Sequence, residues 1–232
     1  MQCWTCAFSP TSSTICLSLD AKSLPVELDG AVARAVLRRI PRGEFILHQG
    51  APSTGVFMIA AGRVRVSLVA EDGKEITLGV LGPGEALGEM SLLDGEGCSA
   101  SASAQEECVL LVIERAQFGR VLRDNPDFCL RLLAMLSGRL RQSNTARLDM
   151  ARFDLPTRLG RVLLRLARDY GDKCAAGTRI ALRLSQKDIS SLVGASREKV
   201  NKQLRRWEQD GILGRDGGWM VIVRSEALAQ LG

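Results

Sequence analysis

The pattern of hydrophobic and polar residues changes twice along the chain. Residues 44–113 contain short alternating apolar runs, separated by glycine, proline and Asp-Gly turn signals. This pattern predicts a small all-β barrel or roll, with a hairpin at Asp72-Gly73. Ahead of it, residues 25–40 carry apolar side chains at helical spacing, which predicts a helix that ends before Pro41. Residues 1–23 have no periodicity and are interpreted as a flexible tail.

A long helix is predicted over residues 125–152. One stripe along it advances by alternating steps of four and three residues, through Cys129, Leu133, Leu136, Leu140, Ser143, Arg147 and Met150. That spacing is typical of a coiled-coil seam and predicts a dimer interface over residues 125–153. The alternative is a helix packed on its own barrel. Beyond it, Asp154 is expected to cap a further helix, and residues 170–178 are expected to form a loop.

Residues 184–208 carry the pattern of two short helices joined by a tight turn. Ser185 is expected to cap the first helix, with Asp188 completing a capping box, and Ser196 is expected to cap the second. The glycines in 214–218 predict a hairpin turn, so a β wing follows the helix pair. This order predicts a winged helix-turn-helix whose second helix enters the major groove of DNA.

The exposed face of the second helix offers side chains that suit base edges. Arg197 can pair with the O6 and N7 atoms of guanine, Glu198 can accept from the amino group of cytosine, and Lys202 can reach a second guanine or a phosphate. Ser196, Gln186 and Lys187 suit contacts with phosphates, and Ser185 and Lys199 are the other predicted DNA contacts. A solvated basic surface without a partner is the alternative.

Composition and charge favour the interpretation as a DNA-binding protein. The 232 residues are 46% hydrophobic and 25% charged, as in ordinary globular proteins. Residues 1–125 hold 11 Lys/Arg against 15 Asp/Glu, whereas residues 126–232 hold 20 against 11, so the basic half contains the predicted helix-turn-helix. We find no transmembrane run, secretory signal or catalytic constellation. We therefore expect a cytoplasmic protein that is not an enzyme and has no membrane partner.

Three segments resemble the Crp/Fnr family of bacterial transcription regulators. They are FILHQGAPSTGVFMIAAGRVRVSL, GPGEALGEMSLLDGEGCSASA and LVGASREKVNKQL. The resemblance implies an α+β chain with an N-terminal double-stranded β-helix (a cyclic-nucleotide-binding-like jelly roll), a long dimerisation helix and a C-terminal winged helix-turn-helix. The expected boundaries are 1–23 for the tail, 24–124 for the effector-sensing β-roll, 125–153 for the dimerisation helix and 154–232 for the DNA-binding domain.

The same resemblance implies an activity. A homodimer would bind a palindromic promoter element with TGTGA-like half-sites, and an effector at the junction of the β-roll and the dimer helix would control it allosterically. RNA polymerase would be a further partner. Arg197, Glu198 and Lys202 fall on the family's base-reading positions. The alternative is a cyclic-nucleotide-binding regulatory module that acts on protein partners, against which the intact base-reading face argues.

The segment GPGEALGEMSLLDGEGCSASA is similar to the nucleotide-binding cassette of the family, and this cassette departs from the family pattern at one position. In the family's cAMP binders, a Glu takes the ribose hydroxyl and an Arg-Ser pair takes the phosphate; here Glu89 matches the first, but Cys98 stands where the arginine belongs. We expect weak or lost cAMP binding, because a buried phosphate would lack its charged partner. A different ligand, a constitutive dimer, a redox-sensitive thiol at Cys98 and Arg147 as a substitute cation are the alternatives. The predicted effector residues are Gly88, Glu89, Met90, Cys98, Ser99, Ala100, Ser143 and Asn144.

Cysteines near the N-terminus add one more alternative. Cys3, Cys6 and Cys16 loosely resemble the cluster of oxygen-sensing Fnr proteins, and Cys108 is a candidate fourth ligand. The spacing between Cys6 and Cys16 is wider than the corresponding gap in those proteins, which disfavours an Fe–S cluster. The sequence therefore predicts no definite cofactor. His48, the single histidine, lacks a partner for metal binding.

Overall fold

Two four-stranded antiparallel sheets form the first lobe of the computed structural model, which describes residues 35–71, 73 and 75–231. One sheet has the strand order β1-β8-β3-β6 and the other β2-β7-β4-β5. The strands are β1 (Val36–Ile40), β2 (Phe45–Leu47), β3 (Gly55–Ala61), β4 (Val64–Val69), β5 (Glu75–Leu81), β6 (Ala86–Leu87), β7 (Ser101–Ala104) and β8 (Cys108–Glu114).

Apolar side chains from both sheets share one core. Ile59 and Leu110 from the first sheet are fully buried and pack with Val64 and Ala102 from the second. Each large side chain buried in this way contributes roughly 1.5–3 kcal/mol. The predicted β-roll is confirmed, and β4 and β5 pair antiparallel as the predicted hairpin requires.

The predicted helix over residues 25–40 is wrong where the structure describes it. Val36–Ile40 is an edge strand that pairs with β8, with Val36 opposite Val112. The open edge of β8 offers backbone donors and acceptors that no local pattern reveals, and this long-range pairing overrides the helical spacing. The rest of that segment and the predicted tail, with Cys3, Cys6 and Cys16, lie outside the described residues.

One helix, α1 (Glu89–Leu93), lies between β6 and β7 of the roll. Two more come after β8: α2 (Arg115–Asp124) and α3 (Pro126–Arg152). The long helix is confirmed, and it has two different apolar faces. Phe128 and Leu132 are buried against α2 and the roll. Leu133 and Leu140, which belong to the predicted stripe, are 53% and 63% exposed in the protomer. One face of this helix therefore packs on its own roll, and the face with the predicted stripe is available for a dimer interface.

The second lobe combines helices with a four-stranded sheet of order β11-β12-β10-β9. Its elements are α4 (Leu155–Tyr170), β9 (Gly171–Cys174), β10 (Gly177–Ile180), α5 (Gln186–Val193), α6 (Arg197–Gln209), β11 (Leu213–Asp216), β12 (Trp219–Ile222) and α7 (Ser225–Ala229). Leu159, Leu163 and Trp207 lie in its core. No helix among the described residues has the length and hydrophobicity needed to cross a membrane.

Two predictions on this lobe are resolved at the hairpins. The predicted loop at 170–178 is wrong, because β9 and β10 form a hairpin there with Gly177 opposite Cys174. Polar residues fill most of these strands, so their sequence lacks the apolar alternation that identifies a strand. The predicted wing is confirmed as the β11–β12 hairpin, with its turn narrowed to Gly217-Gly218.

Candidate functional site

Local side-chain chemistry sets where the two helices of the helix-turn-helix begin. The Ser185 hydroxyl accepts a hydrogen bond from the backbone N–H of Asp188 at 3.1 Å, and the Asp188 carboxylate accepts from the backbone N–H of Ser185 at 2.9 Å. Ser196 caps α6 by accepting from the backbone N–H of Lys199. Gly194 ends α5 at φ 68°, a left-handed conformation that glycine adopts without strain. The predicted capping box and both caps are confirmed.

Packing turns one face of α6 inward and leaves the other free. Val200 and Leu204 are buried in the core of the second lobe. Arg197, Glu198 and Lys202 are exposed. The predicted base-reading side chains therefore share the outward face of one helix. Ser185, Lys187, Ser196 and Lys199 are also exposed, and Gln186 is half-buried.

Sequence reasoning missed one residue of this surface, Asn201. The side-chain oxygen of Gln186 accepts from Asn201 Nδ2 at 2.8 Å and from Arg197 Nε at 3.2 Å. Asn201 lies one helical turn after Arg197, and that spacing was the available signal. Gln186 thus connects the first helix of the motif to a predicted base-reading arginine.

The wing is tied to α6 by charge. Arg215 on β11 lies 3.0 Å from Glu208 on α6, measured from Nε to the carboxylate. The Arg183 guanidinium lies 5.1 Å from the centre of the Trp219 ring. The first contact holds the hairpin beside the helix that carries the predicted base-reading residues, and the second joins it to the segment ahead of α5.

The two lobes touch where α5 packs on β5. The Thr77 hydroxyl, buried with its residue 2% exposed, donates to the Asp188 carboxylate at 2.8 Å, and Arg65 lies 3.7 Å from the same carboxylate. Beside them, Lys187 pairs with Glu75 at 3.0 Å. A lysine predicted to contact phosphate is therefore paired with a carboxylate of the other lobe.

The charges at this contact are stabilised in their ionised forms. Burial raises the pKa of the Asp188 carboxyl, but hydrogen bonds from Ser185 and Thr77 outweigh it and hold that pKa below its usual value. The hydrogen bond from Lys187 lowers the pKa of Glu75. Both carboxyls therefore carry charge at neutral pH.

Aromatic packing extends the same contact. Tyr170, the last residue of α4, donates its hydroxyl to the backbone carbonyl of Val80 on β5 at 2.8 Å. Burial of this hydroxyl raises the pKa of Tyr170 to about 12. Val80 itself packs into the core of the second lobe. The lobes thus share apolar as well as polar contacts.

The cassette centres on a buried carboxylate. Gly88 precedes α1 at φ 84°, and a Cβ there would lie 2.6 Å from the carbonyl oxygen of Gly55, so the tight turn requires glycine. Glu89 is 2% exposed, and its Oε1 lies 2.6 Å from Nη1 of Arg139 on α3. Arg139 also donates to the carbonyl of Ala86. The other oxygen, Glu89 Oε2, is buried without a hydrogen-bond partner.

Arg139 is the second residue that sequence reasoning missed. The substitute cation considered from the sequence was Arg147, which is exposed two turns further along α3. Arg139 lies one helical turn before Ser143, a predicted effector contact, so helical spacing alone would have placed it on the same face. Ser143 and Asn144, both predicted effector contacts, are exposed in the protomer. Arg139 makes hydrogen bonds from α3 to the cassette, beside the apolar packing of α3 on Ala86 and Leu92.

Cys98 lies inside the roll. It is 5% exposed, its backbone N–H donates to Ala51, and its carbonyl accepts from Gly50. Burial raises the pKa of its thiol. A raised pKa keeps sulfur in the unreactive thiol form, which argues against the redox alternative. Nearby, the Ser99 hydroxyl lies 3.5 Å from the sulfur of Met90, while Ala100 is half-buried.

Cys108, the candidate fourth Fe–S ligand, is also engaged. Its thiol donates to the carbonyl of Arg63 at 3.3 Å, and burial raises its pKa. Within residues 35–71, 73 and 75–231, no group of three His, Cys, Asp or Glu side chains could hold a metal ion.

Comparison with known proteins identifies both lobes. The family model "Cyclic nucleotide-binding domain" matches residues 37–125, and "Crp-like helix-turn-helix domain" matches residues 157–231. The "CRP-like cAMP-activated global transcriptional regulator" of Mycobacterium tuberculosis is 33% identical over 190 residues, 82% of this chain and 85% of the relative. The "Cyclic AMP receptor protein" of Thermus thermophilus is 34% identical over 207 residues, 89% and 92% of the two chains.

A solved structure agrees with these relatives. The c-di-GMP responsive regulator CLP of Xanthomonas campestris has a TM-score of 0.71 at 26% identity, and the match covers 88% of this chain and 99% of that one. The matched relatives are bacterial transcription regulators and not enzymes. They support DNA binding and dimer formation. The chain belongs to the Crp/Fnr family of transcription regulators.

Proposed function

We propose that the protein regulates transcription as a homodimer bound to a palindromic promoter element with TGTGA-like half-sites. The observation that carries this proposal is the outward face of α6, where Arg197, Glu198 and Lys202 are exposed together. A helix fits the major groove, and side chains near its N-terminus meet base edges there. Ser185, Lys187, Ser196 and Lys199 would contact phosphates around the same groove.

The dimer is proposed to form through residues 125–153. The support is the exposed stripe on α3, which includes Leu133 and Leu140. A second copy of the same helix would bury these side chains, and a two-fold axis would set the two α6 helices about 34–36 Å apart, one turn of DNA. We propose residues 24–124 as the sensing domain and 154–232 as the DNA-binding domain.

The effector is proposed to bind where the cassette meets α3, at the residues predicted above together with Arg139. The buried Glu89 Oε2 lacks a donor, and a ribose hydroxyl is a donor of the right kind. Cys98 offers a neutral thiol where a phosphate needs a cation. We therefore propose that cAMP binds weakly or not at all. The relatives differ from one another in their effector: the Mycobacterium protein is cAMP-activated, and the Xanthomonas protein is c-di-GMP responsive.

Control is proposed to pass through the contact between β5 and α5. The present arrangement pairs Lys187 with Glu75, and the same lysine would face a phosphate on DNA. An effector that favours a second arrangement would release Lys187 and shift the population towards the DNA-binding form. As a transcription regulator, the dimer would act in the cytoplasm beside RNA polymerase.

The test is fluorescence anisotropy with a labelled palindromic TGTGA-type duplex at fixed salt. The duplex is titrated without ligand, with cAMP, and under reducing and oxidising conditions; a duplex with scrambled half-sites is the control. We expect a preference for the palindromic duplex over the scrambled one, with an affinity that cAMP and oxidant leave unchanged. Equal affinity for both duplexes would contradict the proposed DNA specificity, and binding that appears only with cAMP would contradict the proposed sensor. Arg197→Ala should cost specific binding about 1–3 kcal/mol.

A further inference from the structure

Gln186 occupies a bridging position at the start of the helix-turn-helix. It is the first residue of α5, and its side-chain oxygen accepts from two donors on α6, Asn201 Nδ2 and Arg197 Nε. Gln186 and Asn201 are half-buried, whereas Arg197 is exposed. A half-buried acceptor thus touches an exposed arginine that is proposed to read a base.

The two donors determine which way the Gln186 amide faces. An Arg Nε and an Asn Nδ2 can only donate, so both require the carbonyl oxygen of the glutamine rather than its NH2 group. Asn201 Oδ1 is buried and has no hydrogen-bond partner, which leaves Nδ2 as the group through which this side chain is held. Asn201 therefore orients Gln186, and Gln186 orients Arg197.

This arrangement leaves the useful end of Arg197 free. Guanidinium is planar, with its donors in a fixed fork. When Nε is bound by Gln186, Nη1 and Nη2 are the pair that remains for the O6 and N7 atoms of a guanine. A long side chain held in place before binding also loses less rotamer freedom when DNA arrives.

We infer that Gln186 is a positioning residue for sequence recognition: its carbonyl oxygen presents Arg197 end-on to guanine, and Asn201 holds that oxygen in place. This inference rests on the proposed DNA-binding function and replaces the expectation that the Gln186 side chain contacts phosphate. The two roles differ in a measurable way. Loss of a phosphate contact weakens binding to all sequences alike, whereas loss of positioning weakens it only where Arg197 reads a base.

The experiment measures anisotropy of the full-length dimer with a palindromic duplex and a series in which each half-site base pair is exchanged symmetrically. Arg197→Ala first identifies the pair that Arg197 reads. Gln186→Ala is then expected to reduce the preference for guanine at that pair about 2- to 12-fold, with affinity for a scrambled duplex unchanged within about 2-fold. Asn201→Ala should lower the same preference by a smaller factor.

Two further variants separate positioning from other roles. Gln186→Glu keeps an acceptor for Arg197 Nε, so it should retain the guanine preference while its negative charge weakens binding to every duplex. Lys199→Ala should weaken binding to all duplexes alike and lower the salt slope by about 1. In the Arg197→Ala background, Gln186→Ala should leave the preference at that base pair unchanged, because Gln186 acts on this preference only through Arg197.

The outcomes separate the inference from the function on which it rests. A wild-type dimer without any sequence preference overturns the proposed function and the inference together. A wild-type preference that Gln186→Ala lowers equally at every position, or that Gln186→Glu abolishes, overturns the inference alone.

Discussion

Replacing Cys98 by arginine is expected to give the cassette the cation that a cyclic phosphate needs. Cys98 is 5% exposed within the roll, so an arginine side chain there would meet a bound phosphate away from bulk water. Loss of one partner from a buried charged pair costs about 2–5 kcal/mol. Restoring that partner should therefore lower the Kd for cAMP roughly thirty- to several-thousand-fold.

The same substitution carries a separate cost in stability. Cys98 packs with Leu47 and Phe57 in the shared core of the sheets, and the larger side chain overfills that space. Overpacking of this kind costs typically about 1–3 kcal/mol. That cost is present with and without ligand, so it should appear as a lower free energy of unfolding and leave the gain in cAMP affinity intact.

Calorimetric titration with cAMP measures the gain directly. Wild type and Cys98→Ala should both bind weakly or not at all, because neither supplies a cation, and Cys98→Arg should bind tightly. Micromolar or tighter binding by wild type would refute the reasoning. So would a folded Cys98→Arg variant with no gain in affinity.

Three other predictions follow from contacts within and between the lobes. Glu89→Gln should lower the free energy of unfolding in urea by roughly 3 kcal/mol, because it leaves the Arg139 guanidinium without its carboxylate; a loss below about 1 kcal/mol would contradict a stabilising pair. Glu75→Gln should raise DNA affinity without effector about 2- to 5-fold in anisotropy titrations at low salt, because it frees Lys187, and unchanged affinity would mean that this pair does not compete with phosphate. The lowered pKa of Asp188 predicts a contribution to stability that is complete above its unfolded pKa of about 3.9 and is lost as pH falls through the lower folded value. Thermal unfolding between about pH 2 and pH 6 should show this loss, and Asp188→Asn should reduce the dependence; equal slopes would contradict the assignment.

Features that depend on neighbours in sequence could be predicted here. The caps at Ser185 and Ser196 join groups three residues apart, so the residue types alone identify them. The stripe on α3 follows in the same way from helical periodicity. The exposure of Arg197, Glu198 and Lys202 on one face of α6 follows from the register of one helix, and their role in reading bases stays a prediction.

Features that depend on distant parts of the chain could not be predicted. Strand β1 exists because β8 offers it an edge more than sixty residues away in sequence. Strand β7, made of Ser and Ala, has no apolar alternation and is identified only by burial between β2 and β4. The pairing of Glu89 with Arg139 depends on where α3 crosses the cassette, which periodicity along α3 does not specify.

One carboxylate serves two structures at once. Asp188 completes the capping box at the start of the first helix of the helix-turn-helix, and it accepts a hydrogen bond from the hydroxyl of Thr77 in the first lobe. A substitution at Asp188 therefore changes both the start of helix α5 and the contact between the two lobes. Selection that adjusts the contact between the lobes without disturbing the helix-turn-helix must act on the residues of the first lobe, which are Thr77, Arg65 and Glu75. Variation in regulatory behaviour among close relatives is accordingly expected on β4 and β5, with Asp188 held constant.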